Sequence, residues 1–255
     1  MTQEPIPRLT AAQPVALAAA LPAALIVAHG QPSDPGPAAA EIAFLAAKVQ
    51  ALMPGWRIRS ATLAEPDALA REVAAAGGAG LVYPLFMAGG WFTTTHLPAK
   101  LAEAGGADWH ILPPFGLDAG VQALTLTLAR EAAARRGHAP ADLPLLLAAH
   151  GSFRSAAPSE VAYAMADRLR QEAGFARVEA AFIDQSPRIV EAAAGFPPGS
   201  RVLPFFAARG GHVIDDLPQA LAEAGFDGDV LPPVGLDARV PGLIRHALKA
   251  ALKAR

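Results

Sequence analysis

Imidazole and carboxylate are the strongest metal-binding and proton-transfer groups this chain can offer, because it contains no cysteine. Thiolate zinc sites, iron–sulfur clusters and disulfides are thereby excluded. Among its 7 histidines, His150 closes the apolar run Leu145-Leu146-Leu147-Ala148-Ala149 and is followed by Gly151-Ser152. His29 closes a second version of that run, Leu25-Ile26-Val27-Ala28, and is followed by Gly30. His212 follows Gly210 and Gly211. A polar side chain just past the carboxyl end of a buried parallel strand is where open α/β sheets carry their sites. His150, Asp184 and His212 stand at three such ends. Two imidazoles and a carboxylate suit a borderline divalent ion such as Fe, Co, Ni or Zn, or proton transfer near neutral pH. Taken alone, His150 is read as readily as a plain hydrogen-bonded strand end.

The elements that must position these groups alternate strand and helix. Predicted strands cover Leu25–Ala28, Arg57–Leu63, Leu81–Phe86 and Trp109–Leu112. Helices are expected from about Ala38 to Leu52, after Pro66, near Leu97–Ala104, and over Leu117–Arg135. The second half repeats the order. Its strands are Leu145–Ala149, Val178–Ile183, Arg201–Phe205 and Val230–Leu231. Its helices lie near Ser159–Glu172, after Pro187, near Leu217–Ala224, and on to about Ala251. Short apolar strands alternating with helices predict parallel sheets covered on both faces. The expected fold class is therefore α/β, with two similar lobes, each a parallel sheet with flanking helices.

The repetition is specific. Leu101-Ala102-Glu103-Ala104-Gly105 recurs as Leu221-Ala222-Glu223-Ala224-Gly225, and Leu112-Pro113-Pro114-Phe115-Gly116-Leu117-Asp118-Ala119 as Leu231-Pro232-Pro233-Val234-Gly235-Leu236-Asp237-Ala238. Offsets stay between 119 (112 to 231) and 121 (29 to 150), and prolines 66, 84 and 98 pair with 187, 204 and 218. This implies an internal duplication, with an N-terminal lobe over 23–136, a C-terminal lobe over 143–255 and a leader over 1–22. The same register sets His29, Leu63 and Phe92 opposite His150, Asp184 and His212. A site confined to one half therefore belongs to the second. His29 is read as structural or loop-fixing, and His96 as facing a shared cleft or solvent. His110, His138 and His246 are read as solvated.

Other residues near these loops carry bland and functional readings side by side. Gly210 and Gly211 would let a loop approach a ligand closely. Asp215 and Asp216 suit a helix start, where capping and dipole compensation explain them as well as a site role does. Arg154 and Arg209 are either surface charges or a clamp for ligand carboxylates. Ser152 as a hydrolytic nucleophile lacks a Gly-x-Ser-x-Gly elbow, and Gly151-Ser152 as a phosphate loop lacks the Walker Gly-Lys-Ser/Thr. A net charge of −2 without a basic run argues against nucleic acid as a partner. Residues 10–33 carry no Asp, Glu, Lys or Arg, but Pro14 and Pro22 interrupt the run and the repeat makes Leu25–Ala28 a core strand, so no membrane span is expected and the chain is read as cytoplasmic.

Three segments together carry a resemblance: Ala148-Ala149-His150-Gly151-Ser152, Phe182-Ile183-Asp184 with Pro187, and Pro204-Phe205-Phe206-Ala207-Ala208-Arg209-Gly210-Gly211-His212 with Asp216-Leu217-Pro218. From about Leu25 to its end, the chain resembles the sirohydrochlorin cobalt/iron chelatases, class II tetrapyrrole chelatases of cobalamin and sirohaem synthesis. The resemblance implies two α/β lobes around a cleft and ATP-independent insertion of a divalent metal (Co²⁺, Fe²⁺ or Ni²⁺) into a sirohydrochlorin-type ring. The metal and the tetrapyrrole would both be substrates, with no permanently bound cofactor. It implies that His150 and His212 bind the metal and help remove pyrrole protons, assisted by Asp184, where many relatives have Glu. Ser152, Arg154, Arg209, Gly211 and Phe92 would contact the ring, with Trp91 beside them. A fused two-lobe chain could form the cleft as a monomer, and a homodimer is the other expectation. A non-catalytic tetrapyrrole or metal carrier of the same fold is the alternative.

Overall fold

A computed structural model describes residues 21–254; the expected leader lies almost wholly outside them. The chain forms two four-stranded, all-parallel sheets of identical order. The first contains β1 (Ala23–Ala28), β2 (Arg57–Thr62), β3 (Leu81–Pro84) and β4 (His110–Ile111), ordered β2-β1-β3-β4. The second contains β5 (Leu145–Ala149), β6 (Val178–Phe182), β7 (Arg201–Pro204) and β8 (Asp229–Val230), ordered β6-β5-β7-β8. The helices are α1 (Pro35–Leu52), α2 (Ala68–Ala76), α3 (Leu97–Glu103), α4 (Ala119–Ala134), α5 (Ala157–Gln171), α6 (Ile189–Ala193), α7 (Leu217–Glu223) and α8 (Val240–Lys253). The expected α/β class with two similar lobes is what the chain adopts. Pro66 and Pro187 stand just outside α2 and α6. The Arg188 backbone N–H donates to Glu191 Oε2 at 3.1 Å, which starts α6 after the proline.

The period-2 alternation of each central strand divides the core into three parts. Leu25 and Val27 of β1 point outward against Leu69, Val73, Leu97 and Leu101 of α2 and α3. Leu146 and Ala148 of β5 do the same against Ile189, Leu217 and Leu221 of α6 and α7. The opposite faces, Ala24 and Ile26 in one sheet and Leu145, Leu147 and Ala149 in the other, look into one continuous core. That core also holds Ile42 and Val49 of α1, Val121 and Leu124 of α4, Met165 and Leu169 of α5, and Ile244 and Leu248 of α8. The inner strands β1, β3, β5 and β7 are therefore buried on both faces, as parallel sheets require. The last helix, α8, packs against β3 of the first sheet. Truncating a residue such as Ile244 or Leu147 to alanine would cost about 2–5 kcal/mol.

Polar links cross between the halves where the apolar core stops. Arg239 makes a two-pronged pair with Glu131, at 2.7 and 3.1 Å, and this holds the Glu131 carboxyl below its usual range. Glu41 of α1 accepts the Arg209 backbone N–H at 2.8 Å, fixing the loop before His212 to the first lobe. The repeated Pro-Pro-x-Gly-Leu-Asp motif has a steric origin. The N–H groups of Gly116 and Gly235 donate to Phe86 and Phe206 carbonyls, and a Cβ at either glycine would stand 1.9 Å from the carbonyl oxygen of Met87 or Ala207. The motif's aspartate is local too: Asp118 Oδ1 accepts the Gly120 N–H at 2.8 Å and starts α4, while Oδ2 accepts the buried Tyr83 hydroxyl at 3.0 Å.

Candidate active site

His150 lies one residue beyond β5, and Gly151 (φ +72°) turns the chain immediately after it. Only glycine adopts that conformation without strain, and a Cβ there would meet Phe182 and Gln185 at 2.8 and 2.7 Å. Gln185 Oε1 accepts the Ser152 N–H at 2.8 Å and pins the loop from the neighbouring strand end. His212 opens a five-residue π-helical turn, His212–Asp216, closed by Leu217 N–H to His212 C=O. Pro218 follows and lacks the N–H that α spacing would need. Such turns recur at functional sites. Four residues on, Asp216 returns to the side of the turn that carries His212.

The two imidazoles meet edge to face, with centroids 4.3 Å apart, and their Nε2 atoms lie 2.9 Å apart. The outer nitrogens are taken. His150 Nδ1 donates to the Gly151 carbonyl at 2.8 Å, with Asp184 Oδ2 at 3.6 Å, and His212 Nδ1 donates to Asp216 Oδ2 at 2.6 Å. With both Nδ1–H groups committed, the Nε2 lone pairs face each other. That contact needs a cation between them, either a proton or a metal. Two imidazoles on a tetrahedral ion at about 2.0–2.1 Å put their nitrogens roughly 3.3 Å apart, so a few tenths of an ångström of ring movement suffice. Carboxylate or carbonyl partners on the far nitrogens orient metal-ligating histidines. Both imidazoles and both carboxylates are only half-buried. Asp184 and Asp216 also line a cavity of about 290 Å³ between α6 and α7, together with Arg188 and Gln219.

The other expected residues fall as follows. Ser152 Oγ accepts the Arg154 N–H at 3.1 Å, and both imidazoles have other partners, so the serine has no base and the hydrolase reading fails. Arg154 and Arg209 are exposed, one on each histidine loop. Gly211 has φ −51°, so its backbone does not require glycine; what glycine leaves is an uncovered approach to His212. Phe92 begins the matching π-helical turn of the first lobe, Phe92–His96. Its ring packs on His29 with centroids 4.6 Å apart and on His96 at 5.7 Å. Trp91 stacks on His96 at 4.7 Å and is 58% exposed. His110, His138 and His246 are exposed, away from this site.

One pairing read from the repeat is corrected. The Ala64 N–H donates to His29 C=O as the Asp184 N–H donates to His150 C=O, whereas Leu63 bonds Ala28 as Ile183 bonds Ala149. Ala64, not Leu63, is the counterpart of Asp184; the offset drops from 121 to 120 between β1 and β2. Of the two roles the sequence leaves open for Asp216, a helix start and a site role, the hydrogen bond to His212 Nδ1 supports the second, and its i,i+4 spacing from His212 is the signal for it. Gln185 carried no signal apart from its place beside Asp184.

A family model for CbiX matches residues 144–251. A probable sirohydrochlorin cobaltochelatase of Halobacterium salinarum is 24% identical over 162 residues, 54% of this chain and 55% of that protein; the matched stretch thus spans about half of that curated relative. The structure of CbiX, the terminal enzyme for biosynthesis of siroheme in denitrifying bacteria, superposes with a TM-score of 0.82 at 50% identity, covering 89% of this chain and 98% of that one. The chain belongs to the sirohydrochlorin chelatase family. SirB from Bacillus subtilis, solved with Fe³⁺, shares the fold at 13% identity, with a TM-score of 0.71 over 91% of this chain and 97% of that one. In this chelatase-family fold, the matched family segment contains His150, Asp184 and His212 together. No helix among the described residues is long and apolar enough to cross a membrane.

Proposed function

We propose that this chain inserts a divalent metal, Co²⁺ or Fe²⁺, into a sirohydrochlorin-type tetrapyrrole without ATP, at a single site in the second lobe. The observation that carries the reading is the His150–His212 pair, Nε2 to Nε2 at 2.9 Å, with a hydrogen-bond acceptor behind each outer nitrogen. Two protein ligands leave the remaining positions of the ion open for ring nitrogens. Asp184 and Asp216 offset the ion's charge and set the imidazole orientations. The half-exposed position of the pair fits release of the metal to a second ligand, not permanent storage. Metal and ring are both substrates in this reading.

The ring would lie in the cleft against Phe92 and Trp91, with Ser152 and Gly211 on the other wall. Phe153 and Ile214, 76% and 55% exposed beside the two histidine loops, add apolar surface to that wall. Arg154 and Arg209 would meet the peripheral carboxylates, for which a guanidinium fork is well shaped. A monomer suffices, because both walls belong to one chain, and a cytoplasmic setting suits a pathway that consumes free metal and a soluble ring.

The test is anaerobic insertion into sirohydrochlorin followed by absorbance, with Co²⁺ and Fe²⁺ in turn. The expected result is a rate well above the uncatalysed one, abolished in His150→Ala. A wild-type chain that binds ring or metal yet adds nothing to the background rate would replace the chelatase reading with a carrier.

A further inference from the structure

Metal insertion removes two pyrrole protons, yet the residues that hold the metal have no spare nitrogen to receive them. While an ion sits between the two Nε2 atoms, all four ring nitrogens of His150 and His212 are engaged. Asp216 is occupied by His212, and Asp184 Oδ2 lies behind the metal pair, 3.6 Å from His150 Nδ1. A better-matched acceptor must come from elsewhere in the cleft.

His29 meets the requirement. It occupies on β1 the place that His150 occupies on β5, just past the strand end, and its ring is exposed and packs on Phe92. The two halves approach each other at this level: a Cβ built on Gly90 would stand 3.9 Å from Ser155 Oγ. Phe92 stands where the second lobe has His212, and its ring packs on both His29 and His96, at 4.6 and 5.7 Å, in place of a direct imidazole pair. Partial burial, and the neighbouring His96 and His150, lower its pKa below the ordinary value, which favours the neutral imidazole.

Resting on the function proposed above, we infer that His29 is the proton acceptor of the first lobe, working on the ring from the opposite wall to the metal pair. One pyrrole N–H breaks heterolytically. Its electron pair remains on the ring nitrogen and bonds the M²⁺ ion, and its proton goes to the free nitrogen of His29 and then to water. As the ion leaves for the ring, His150 and His212 recover their Nε2 lone pairs, and one of them takes the second proton. The lobes thus divide the reaction: the second delivers the metal, the first removes the first proton.

The experiment compares kcat, KM for sirohydrochlorin and Co²⁺ affinity in wild type, His29→Ala, His29→Gln and His150→Ala, with and without added imidazole. A positioned proton acceptor is worth about 10²–10⁴-fold in rate. His29→Ala and His29→Gln should lose about 10²-fold in kcat with Co²⁺ affinity unchanged, and imidazole should restore part of the rate to His29→Ala only. Full kcat in His29→Gln, or a loss in His29→Ala that imidazole does not relieve, would overturn the assignment while wild-type insertion and an inactive His150→Ala left the chelatase reading standing. A wild-type chain without insertion activity would remove both.

Discussion

The two lobes repeat one geometry with different chemistry. His150 and His212 lie 4.3 Å apart by centroid, His29 and Phe92 4.6 Å apart. In each lobe the second ring opens a π-helical turn, and the residue four positions on reaches back toward it, Asp216 in one case and His96 in the other. Position for position, the second lobe's Asp184, Gly211, His212 and Asp216 become Ala64, Trp91, Phe92 and His96. The backbone, sheet order and buried glycine of the repeated motif are kept; the imidazole pair, its two carboxylates and the uncovered position at Gly211 are lost. The scaffold is thus set by strand pairing and core packing, and the proposed chemistry by four side chains projecting from it, His150, Asp184, His212 and Asp216. On the division of labour inferred above, the first lobe is a wall with one base, not a spent site.

That contrast can be broken by moving single residues across it. Gly211→Trp gives the second lobe the first lobe's indole at a backbone φ that any residue adopts. Insertion should fall by at least about 10²-fold, the scale of a misplaced reacting group, with circular dichroism unchanged; near-normal turnover in steady-state kinetics would mean that access to His212 does not run past Gly211. Asp216→Asn keeps the size of the group behind His212 but removes its charge. Co²⁺ affinity measured by titration calorimetry should weaken about 10- to 100-fold, as for other residues that orient metal-binding histidines.

Gly116→Ala and Gly235→Ala form a matched pair, each placing a Cβ 1.9 Å from a carbonyl oxygen. Both should destabilise the fold by about 1–3 kcal/mol in urea unfolding. Only Gly235→Ala pushes on the Ala207 loop that leads to His212, so only it should also lower kcat per folded molecule. The smallest effect concerns acid stability. The His29 pKa is lowered in the folded chain, so as pH falls through the ordinary histidine range the unfolded chain takes the proton first and stability declines. His29→Gln should lose less stability than wild type between neutral pH and pH 5 in unfolding experiments; parallel curves would show that His29 titrates normally.

Much of this contrast was legible beforehand, because proline register and apolar strand ends survive duplication. The duplication, the strand positions and the pairing of His150 with His212 follow from residues whose spacing is kept. Three features were not legible, each for a physical reason. Ala64 opposes Asp184 because one residue of register is lost between β1 and β2, which only the ladder of backbone hydrogen bonds reveals. Asp216 is left between a helix-start and a site role until the π-helical turn brings it to His212. The common core, with α8 packed on β3 of the first sheet, depends on which helices meet between the sheets, and chain order does not specify that.

The most direct test of a single second-lobe site is His212→Phe, which gives the second lobe the first lobe's own aromatic pair. Measured by anaerobic insertion of Co²⁺ into sirohydrochlorin, the variant should fold, keep ring binding and drop to the uncatalysed rate. A His212→Phe chain that inserts metal at the wild-type rate would contradict the account, because the chemistry would then lie outside the His150–His212 pair.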